Sequence, residues 1–599
     1  MVCGSAKIMR RVCVGLVVLA ALPAWGDPSA LEINYRVRIR GVDDRELRND
    51  LMSVSDAAEL INRPPISEMQ LRRRAERDVP RFLQVLRSHG YFAARVDVDI
   101  RTDRRPARVR YVVDVGPLYH LRDVQIRSAD DEPDAPAQPR PDRVGLVSGE
   151  PARARAILQA EDRIVRDLGR KGHPFARVED REVRVEHAAQ AVDVIYTYVA
   201  GPPAVFGETS LHGLTSVREP FVRGKIPWRP GDPYDGSQLR LAQRRITDSD
   251  LFATVRVIKA EELTPDGELP LRVELSERKH RSIGFGVGYA SDEGVRGRVW
   301  WEHRNLIRRG ERLGLAGTLS EIGYSAESRF QKPDFLRVDQ VLKIALRAAL
   351  DEPDAFRSRN VGGLISVDRE LRPGLIVGAG TGFKYSSVRD ATEKNRFGLV
   401  YLPVNMDWDR SDDLLDPRRG GRLNLSMAPY RDVIDTEVAF IKGRAGGTQY
   451  IRITRRPELD LALRLVAGSI AGASRDDVPA DERLYAGGGG TVRGFEFQSV
   501  GPLDERNKPV GGKSLTLVSA EVRWRLNQEF GLVVFSDGGA VYEDSMPEWG
   551  EDVLWGAGFG VRYFTPVGPL RFDLAFPLNP RSGGVDDAYQ FYISLGQAF

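Results

Sequence analysis

From His280 to Phe599 the chain alternates apolar residues with polar residues or glycine at every second position. Ile283, Phe285, Val287 and Tyr289 alternate with Ser282, Gly284, Gly286 and Gly288. Leu342, Ile344 and Leu346 alternate with Lys343, Ala345 and Arg347. Val518, Val522 and Trp524 alternate with Ser519, Glu521, Arg523 and Arg525, and Ala557, Phe559, Val561 and Tyr563 with Gly556, Gly558, Gly560 and Arg562. A period of two belongs to strands whose faces meet different surroundings. A soluble sandwich would alternate too, but here aromatics gather near segment ends, as in the interfacial girdles of a transmembrane barrel. Past the N-terminus no stretch offers the roughly 20 uncharged apolar residues of a membrane helix. A barrel needs none, because its strands satisfy one another's backbone groups. The 320 residues of this region hold roughly 16 strands at about 10 residues each plus turns.

The preceding segment, Leu31 to about Lys279, repeats itself. Gly90-Tyr91-Phe92-Ala93-Ala94-Arg95-Val96 is echoed by Gly172-His173-Pro174-Phe175-Ala176-Arg177-Val178, and more faintly by Asp250-Leu251-Phe252-Ala253-Thr254-Val255. Each copy follows a helix-patterned stretch: Ser67 to Ser88, Ala152 to Arg170, and Ser237 to Ser249. Each leads into a strand pair. The expected unit is strand, helix, helix, strand, strand, in about 80 residues, a sensible size for a small α/β domain. Asp130 to Arg140, rich in proline and acid, reads as a surface loop of the second unit.

The first 26 residues read as a secretory signal peptide, with Lys7, Arg10 and Arg11 before an apolar run from Val12 to Leu22 and Ala24-Trp25-Gly26 as the cleavage site. Cys3 and Cys13 both fall inside it, so the exported chain is expected to lack thiols and the disulfides or metal sites they build. With 88 basic and 85 acidic residues the formal charge is +3, and no concentrated basic tract favours nucleic acid. Nor does a catalytic constellation emerge. The tetraglycine at Gly487 to Gly490 is followed by no Gly-Lys-Ser/Thr, and the barrel region holds only His280 and His303, neither with a patterned serine.

Leu484-Tyr485-Ala486-Gly487-Gly488-Gly489-Gly490-Thr491-Val492-Arg493-Gly494-Phe495 is the most specific signal in the chain. Its Val-Arg-Gly-Phe core resembles the motif on the sixth extracellular loop of the POTRA-plus-barrel outer-membrane assembly superfamily, a loop that folds back into the lumen. Phe535-Ser536-Asp537-Gly538-Gly539 resembles that superfamily's Phe-x-Asp-x-Gly strand. The repeated units, closing at Val115-Gly116-Pro117 and Ala200-Gly201-Pro202, look like POTRA domains. Tyr589, Phe591, Ile593, Leu595 and Phe599 share one parity, which resembles the terminal signal of outer-membrane barrels. The resemblance implies an α+β periplasmic arm of three POTRA domains (27–117, 118–203 and 204–279) before an antiparallel barrel of about 16 strands (280–599). Three units point within the superfamily to the outer-membrane subunit of the translocation and assembly module, the TamA-like subgroup. Two-partner secretion transporters and general barrel-assembly proteins are the alternatives, and a passive porin the alternative of a different class. The resemblance also implies clients, namely unfolded outer-membrane proteins such as autotransporters, and an inner-membrane-anchored, TamB-like partner. Outer-membrane lipid surrounds such a barrel. Neither nucleotide hydrolysis nor a cofactor is implied.

Two expectations follow for particular residues. A loop guanidinium folded into a lumen needs carboxylates. Glu521 shares the lumen parity with Ser519 and Arg523, and Asp537 is placed by its motif alone, so Arg493 is expected to bridge Asp537 and Glu521; the alternative is a solvated loop arginine. A wet lumen should hold the cost of breaking the bridge well below the about 3–5 kcal/mol of a dry pair. The second expectation is a weak seam between Ile283 to Tyr289 and Tyr589 to Phe599, since Gly284, Gly286 and Gly288 weaken the first strand. An ordinary sealed closure is the alternative.

Overall fold

The computed structural model describes residues 32–103, 105–129, 138–390, 393–435, 437–455, 457–548, 553–565 and 568–595. The proposed signal peptide, positions 130–137 of the proline-rich loop and the terminal Phe599 lie outside the described residues. Two compact units result. One holds the first two α/β modules with short pieces of the third, and the other holds the remainder of the third module and the barrel.

Each module is a three-stranded sheet whose central strand is the last in sequence. In the first, Tyr35–Arg40 runs parallel and Arg95–Arg101 antiparallel to Ala107–Asp114. Its long helix, Glu68–Ser88, starts where the Ser67 hydroxyl accepts from the Gln70 N–H, an N-cap that satisfies an otherwise orphaned donor. Leu71, Ala75, Phe82 and Leu86 recur at helical spacing and bury against Tyr35, Val109 and Tyr111 of the sheet.

The second module departs from the expected pattern. It has one α-helix among its described residues, Ala154–Arg170, where two helices were expected, and turns at residues 141–145. Pro139 and Pro141 lack the N–H groups a helix interior needs and disfavour helical geometry before them. In the third module Val217, Phe221, Val222, Ile246, Leu251 and Val273 form the core.

That module meets the barrel through a polar joint. The Glu277 carboxylate accepts from the backbone N–H groups of Thr215, Ser216 and Val217 and from the hydroxyls of Thr215 and Ser216. Arg308, from a barrel turn, donates to the Ser216 and Thr215 carbonyls at 2.8 and 3.2 Å, and Lys225 donates to Asp334 at 2.9 Å. Burial alone would raise the Glu277 carboxyl, but these hydrogen bonds outweigh it and hold it down to about 2.

From Arg281 onward the strands form a closed antiparallel barrel. Lys394–Tyr401 and Val404–Asp409 both lie between the same two neighbours and are one wall strand interrupted at Leu402-Pro403, which makes 16 strands. Pro403 cannot donate to the ladder, and such residues sit at interruptions of this kind. Ile283, Phe285 and Val287 are 76–84% exposed on the outer face, an apolar surface suited to hydrocarbon. Among the described residues no helix is long and apolar enough to cross a membrane.

Candidate functional site

Strands Glu458–Ala471 and Ser514–Arg525 bracket a long inward-folded segment, 472–513, whose large apolar residues are buried or half-buried. Val478, Leu484, Val492, Phe495 and Val500 pack on Val388, Leu399, Phe440, Val466, Leu517 and Val541 of the wall. The barrel interior thus contains a dry core made of loop and wall together.

Arg493 sits at the base of this core, 2% exposed. Its Nε and Nη2 donate to the two carboxylate oxygens of Asp537 at 2.6 and 2.9 Å, and Nη1 donates to Glu521 at 2.7 Å. The bidentate fork is the geometry for which guanidinium is suited. Three further features were not anticipated. Asp573 accepts from Nη1 at 3.3 Å, the Arg493 backbone N–H donates to Asp537 at 3.3 Å, and the Phe535 ring lies 3.4 Å beneath the guanidinium carbon, within cation–π range. Arg562 pairs with Asp573, Arg571 lies 3.4 Å from it, and Arg523 donates to Glu521 at 2.8 Å. Four guanidinium groups and three carboxylates therefore share one buried cluster.

The lumen expected to be wet at this point is dry: Glu521 and Asp537 are 0% and 1% exposed. The reason is the loop itself, whose apolar side chains exclude water from the charges they cover. Alternation held the signal for the missed residues. Arg562, Arg571 and Asp573 occupy the inward parity of their strands, beside outward Val561, Phe572 and Phe576.

Gly494 has φ +102°, and a Cβ there would lie 2.9 Å from the Phe576 carbonyl carbon, so the turn beside Arg493 requires glycine. Its N–H donates to the Tyr592 hydroxyl at 3.3 Å, which ties the loop to the last strand. Phe495, 1% exposed, anchors in the loop core.

A second anchor escaped the sequence reading. At the turn Ala480–Glu482 the Glu482 carboxylate is gripped by Lys384 at 2.7 Å and Lys442 at 3.0 Å, while Asp481 takes Lys384 at 2.7 Å and the Ser358 hydroxyl at 2.8 Å. These partners belong to three wall strands, Arg357–Arg372, Leu375–Arg389 and Ala439–Arg455. The loop is braced at two points, at Asp481 and Glu482 and at Arg493 near its middle.

The first and last strands pair to close the barrel. Arg281–Ala290 makes ten residue pairs with the second strand but only two with Gln590–Leu595 among the described residues, Tyr289 with Ile593 and Ala290 with Tyr592. Tyr289 stacks on Phe591 at 5.2 Å, and Ser291 exchanges hydrogen bonds with Phe591 and Gln590.

A 16-strand barrel with a loop packed inside it, following three small α/β modules, defines the class of protein. Residues 305–599 match the Omp85 superfamily domain. The outer membrane protein assembly factor BamA of Nitratidesulfovibrio vulgaris is 25% identical over 466 residues, 74% of this chain and 57% of the relative, so the chain spans little more than half of that protein. BamA of Neisseria meningitidis serogroup B is 22% identical over 87% of this chain and 72% of its own length. In fold, the chain resembles the crystal structure of BamA from Haemophilus ducreyi lacking POTRA domains 1–3, with a TM-score of 0.62 at 17% identity, covering 80% of this chain and all of that one. The protein is an outer-membrane β-barrel with its α/β modules in the periplasm.

Proposed function

We propose that the protein inserts or secretes unfolded outer-membrane client proteins, autotransporters among them, without nucleotide hydrolysis, in the manner of the translocation and assembly module. The observation that carries this reading is the short seam, two residue pairs among the described residues, beside a firmly braced loop. If the first strand, Arg281–Ala290, parts from the last, its freed backbone offers a client strand the hydrogen bonds it lacks in hydrocarbon. Three modules of this size suit an arm that receives extended chains at its sheet edges, and an inner-membrane-anchored, TamB-like protein is the partner proposed for the first of them. The modules fall at 27–117, 118–203 and 204–279 in this reading, with cleavage of the leader after Gly26.

A passive porin fits less well, because the interior holds a packed loop core. A two-partner secretion transporter, with one dedicated substrate, is the reading that competes within the superfamily. Depletion followed by a census of other barrels separates all three. Loss of several barrels or autotransporters supports assembly, loss of one secreted substrate supports two-partner secretion, and an unchanged census with altered solute uptake supports a porin. Tyr289→Cys with Ile593→Cys, directly opposed across the seam, should form a disulfide and block assembly until reduced. Full activity with the bond shown to be closed would remove seam opening from the mechanism.

A further inference from the structure

The outward face of the first module's sheet carries an arrangement that the second module avoids. Its cross-strand rows run Arg36, Arg108, Arg101, then Arg38, Arg110, Asp99, then Arg40, Val112, Asp97. Alternation with buried Tyr35, Val109 and Tyr111 and half-buried Val37 and Ile39 turns all of these away from the core. Asp99 takes both Arg101, at 3.2 Å, and Arg110, at 3.8 Å. Among the described residues Arg36, Arg38, Arg40 and Arg108 meet no carboxylate. Like charges placed directly opposite destabilise a strand pair, so this face is electrostatically unfavourable on its own.

The fold does not demand it. On the same face of the second module Arg122 donates to Asp193 on the adjacent strand at 2.9 Å, and Arg184 stands opposite that same Asp193. In the third module Arg256 stands opposite Glu274. Only the first module leaves arginine facing arginine.

We propose that this face docks an acidic polypeptide, bound in extended form along Tyr35–Arg40. That strand lies at the edge of its sheet, so its outer backbone groups can pair with an added chain. An added strand directs alternate side chains to one face at the repeat of the strand beneath it, which would set carboxylates at every second position against Arg36, Arg38 and Arg40. Guanidinium takes carboxylate through two parallel hydrogen bonds. The edge placement of three arginines at two-residue spacing favours a polypeptide over an anionic lipid surface, which would need only the flat face. This inference rests on the proposed handling of polypeptides by the arm and names the chemistry of what is handled.

The test is direct binding to the full chain in neutral detergent, read by fluorescence anisotropy. The probe is a labelled peptide of about a dozen residues alternating Glu and Thr, a length matched to a strand and its flanks. Controls alternate Lys and Thr, or carry the glutamates in one block. The alternating Glu peptide should bind, and the triple variant Arg36→Ser, Arg38→Ser, Arg40→Ser should weaken it at least about tenfold. Binding should also weaken as ionic strength rises from about 0.01 to about 0.15 M, where screening shortens from roughly 30 to roughly 8 Å. All three side chains are exposed, so the variant should fold, which heat-modifiable migration of the barrel checks. Unchanged affinity in the triple variant, equal binding of the Lys peptide, or equal binding of the blocked peptide overturns the proposal. So does capture of phosphatidylglycerol vesicles by the chain when the peptide fails. None of these readouts uses assembly activity, so a failed depletion experiment and a failed binding experiment are told apart.

Discussion

The two flanks of the seam are built from unlike materials. On the C-terminal flank the inward side chains of successive strands, Glu521, Arg523, Asp537, Arg562, Arg571, Asp573 and Tyr592, are all buried and are tied to one another or to the loop by the Arg493 cluster. On the N-terminal flank the inward positions of Arg281–Ala290 are Ser282, Gly284, Gly286 and Gly288, which have almost nothing with which to grip a loop. One flank is braced from within, and the other offers a loop little to hold. If the seam opens, the first strand is the element that moves, while the last strands keep their shape. The loop is then a scaffold for the fixed flank.

The sharpest way to break this comparison is to remove the brace. Arg493→Ala leaves three carboxylates facing three remaining guanidinium groups in a dry site, and removing one member of such a set costs about 3–5 kcal/mol. The barrel should still form, with the loop exposed to protease near Val492 and assembly activity largely lost. Arg493→Lys should recover little, because an ammonium cannot fork onto Asp537. A variant that keeps a protease-resistant loop would show that the cluster is not what holds it.

A smaller effect is expected at the other anchor. Glu482→Gln keeps the side chain's shape but removes the charge that faces Lys384 and Lys442, and a lost charged hydrogen bond costs about 1.5–3 kcal/mol. Asp481 still faces Lys384, which limits the damage. Loop protease sensitivity should rise near residues 475–485 and stay unchanged near Arg493. Equal release at both anchors would mean that the loop behaves as one body and that the two anchors are not independent.

How much of this was legible depended on what the alternation could report. Parity placed Glu521 on the lumen face, and a short motif placed Asp537; together they put Arg493 between the right carboxylates. Arg562, Arg571 and Asp573 had the same inward parity but no motif, and nothing in one strand's sequence says which inward charges converge across the barrel. Burial was misjudged because it depends on the loop's fold. The sequence pointed to a loop folded into the lumen, but its apolar side chains acquire a core only when the wall surrounds them. The second anchor was missed for the same reason, since Lys384, Lys442 and Glu482 are far apart in the chain. Pro139 and Pro141 argued against a helix among the described residues just before Ala154–Arg170, and the expectation of three alike units passed over them.

The joint below the barrel gives a prediction in pH. Glu277 is held near 2 in the folded protein against 4.5 for the free side chain. A depressed carboxyl stabilises the fold fully above its unfolded value, and that contribution is lost as pH falls through the folded one. The third module should therefore loosen between about pH 4.5 and about pH 2, read as protease cleavage around Thr215 to Val217. Glu277→Gln should make the joint loose already at neutral pH and remove the dependence. An unchanged acid profile in that variant would assign the transition to other carboxylates.

The smallest effect tests the soft flank itself. Gly284, Gly286 and Gly288 share one face of the first strand, but they are not equivalent sites for substitution. A Cβ at Gly284 would strike the Trp300 ring, whereas at Gly286 the nearest atom is Trp300 Cζ3 at 3.8 Å. Gly286→Ala thus restricts the backbone without a clash. Replacing glycine in a strand reduces the freedom of the unpaired chain and steadies the strand by roughly 0.5–1 kcal/mol. If the first strand must leave its place for a client to enter, assembly should slow by about two- to fivefold, the same energy expressed as a rate. Gly297→Ala is the control: it lies on the second strand, also with open space around its Cβ, and makes the same chemical change one strand away from the seam. Slowing in Gly286→Ala but not in Gly297→Ala would locate the moving element in the first strand. Equal rates in both would count against a soft N-terminal flank, and the sparse pairing at Tyr289 and Ala290 would then be a closed end and nothing more.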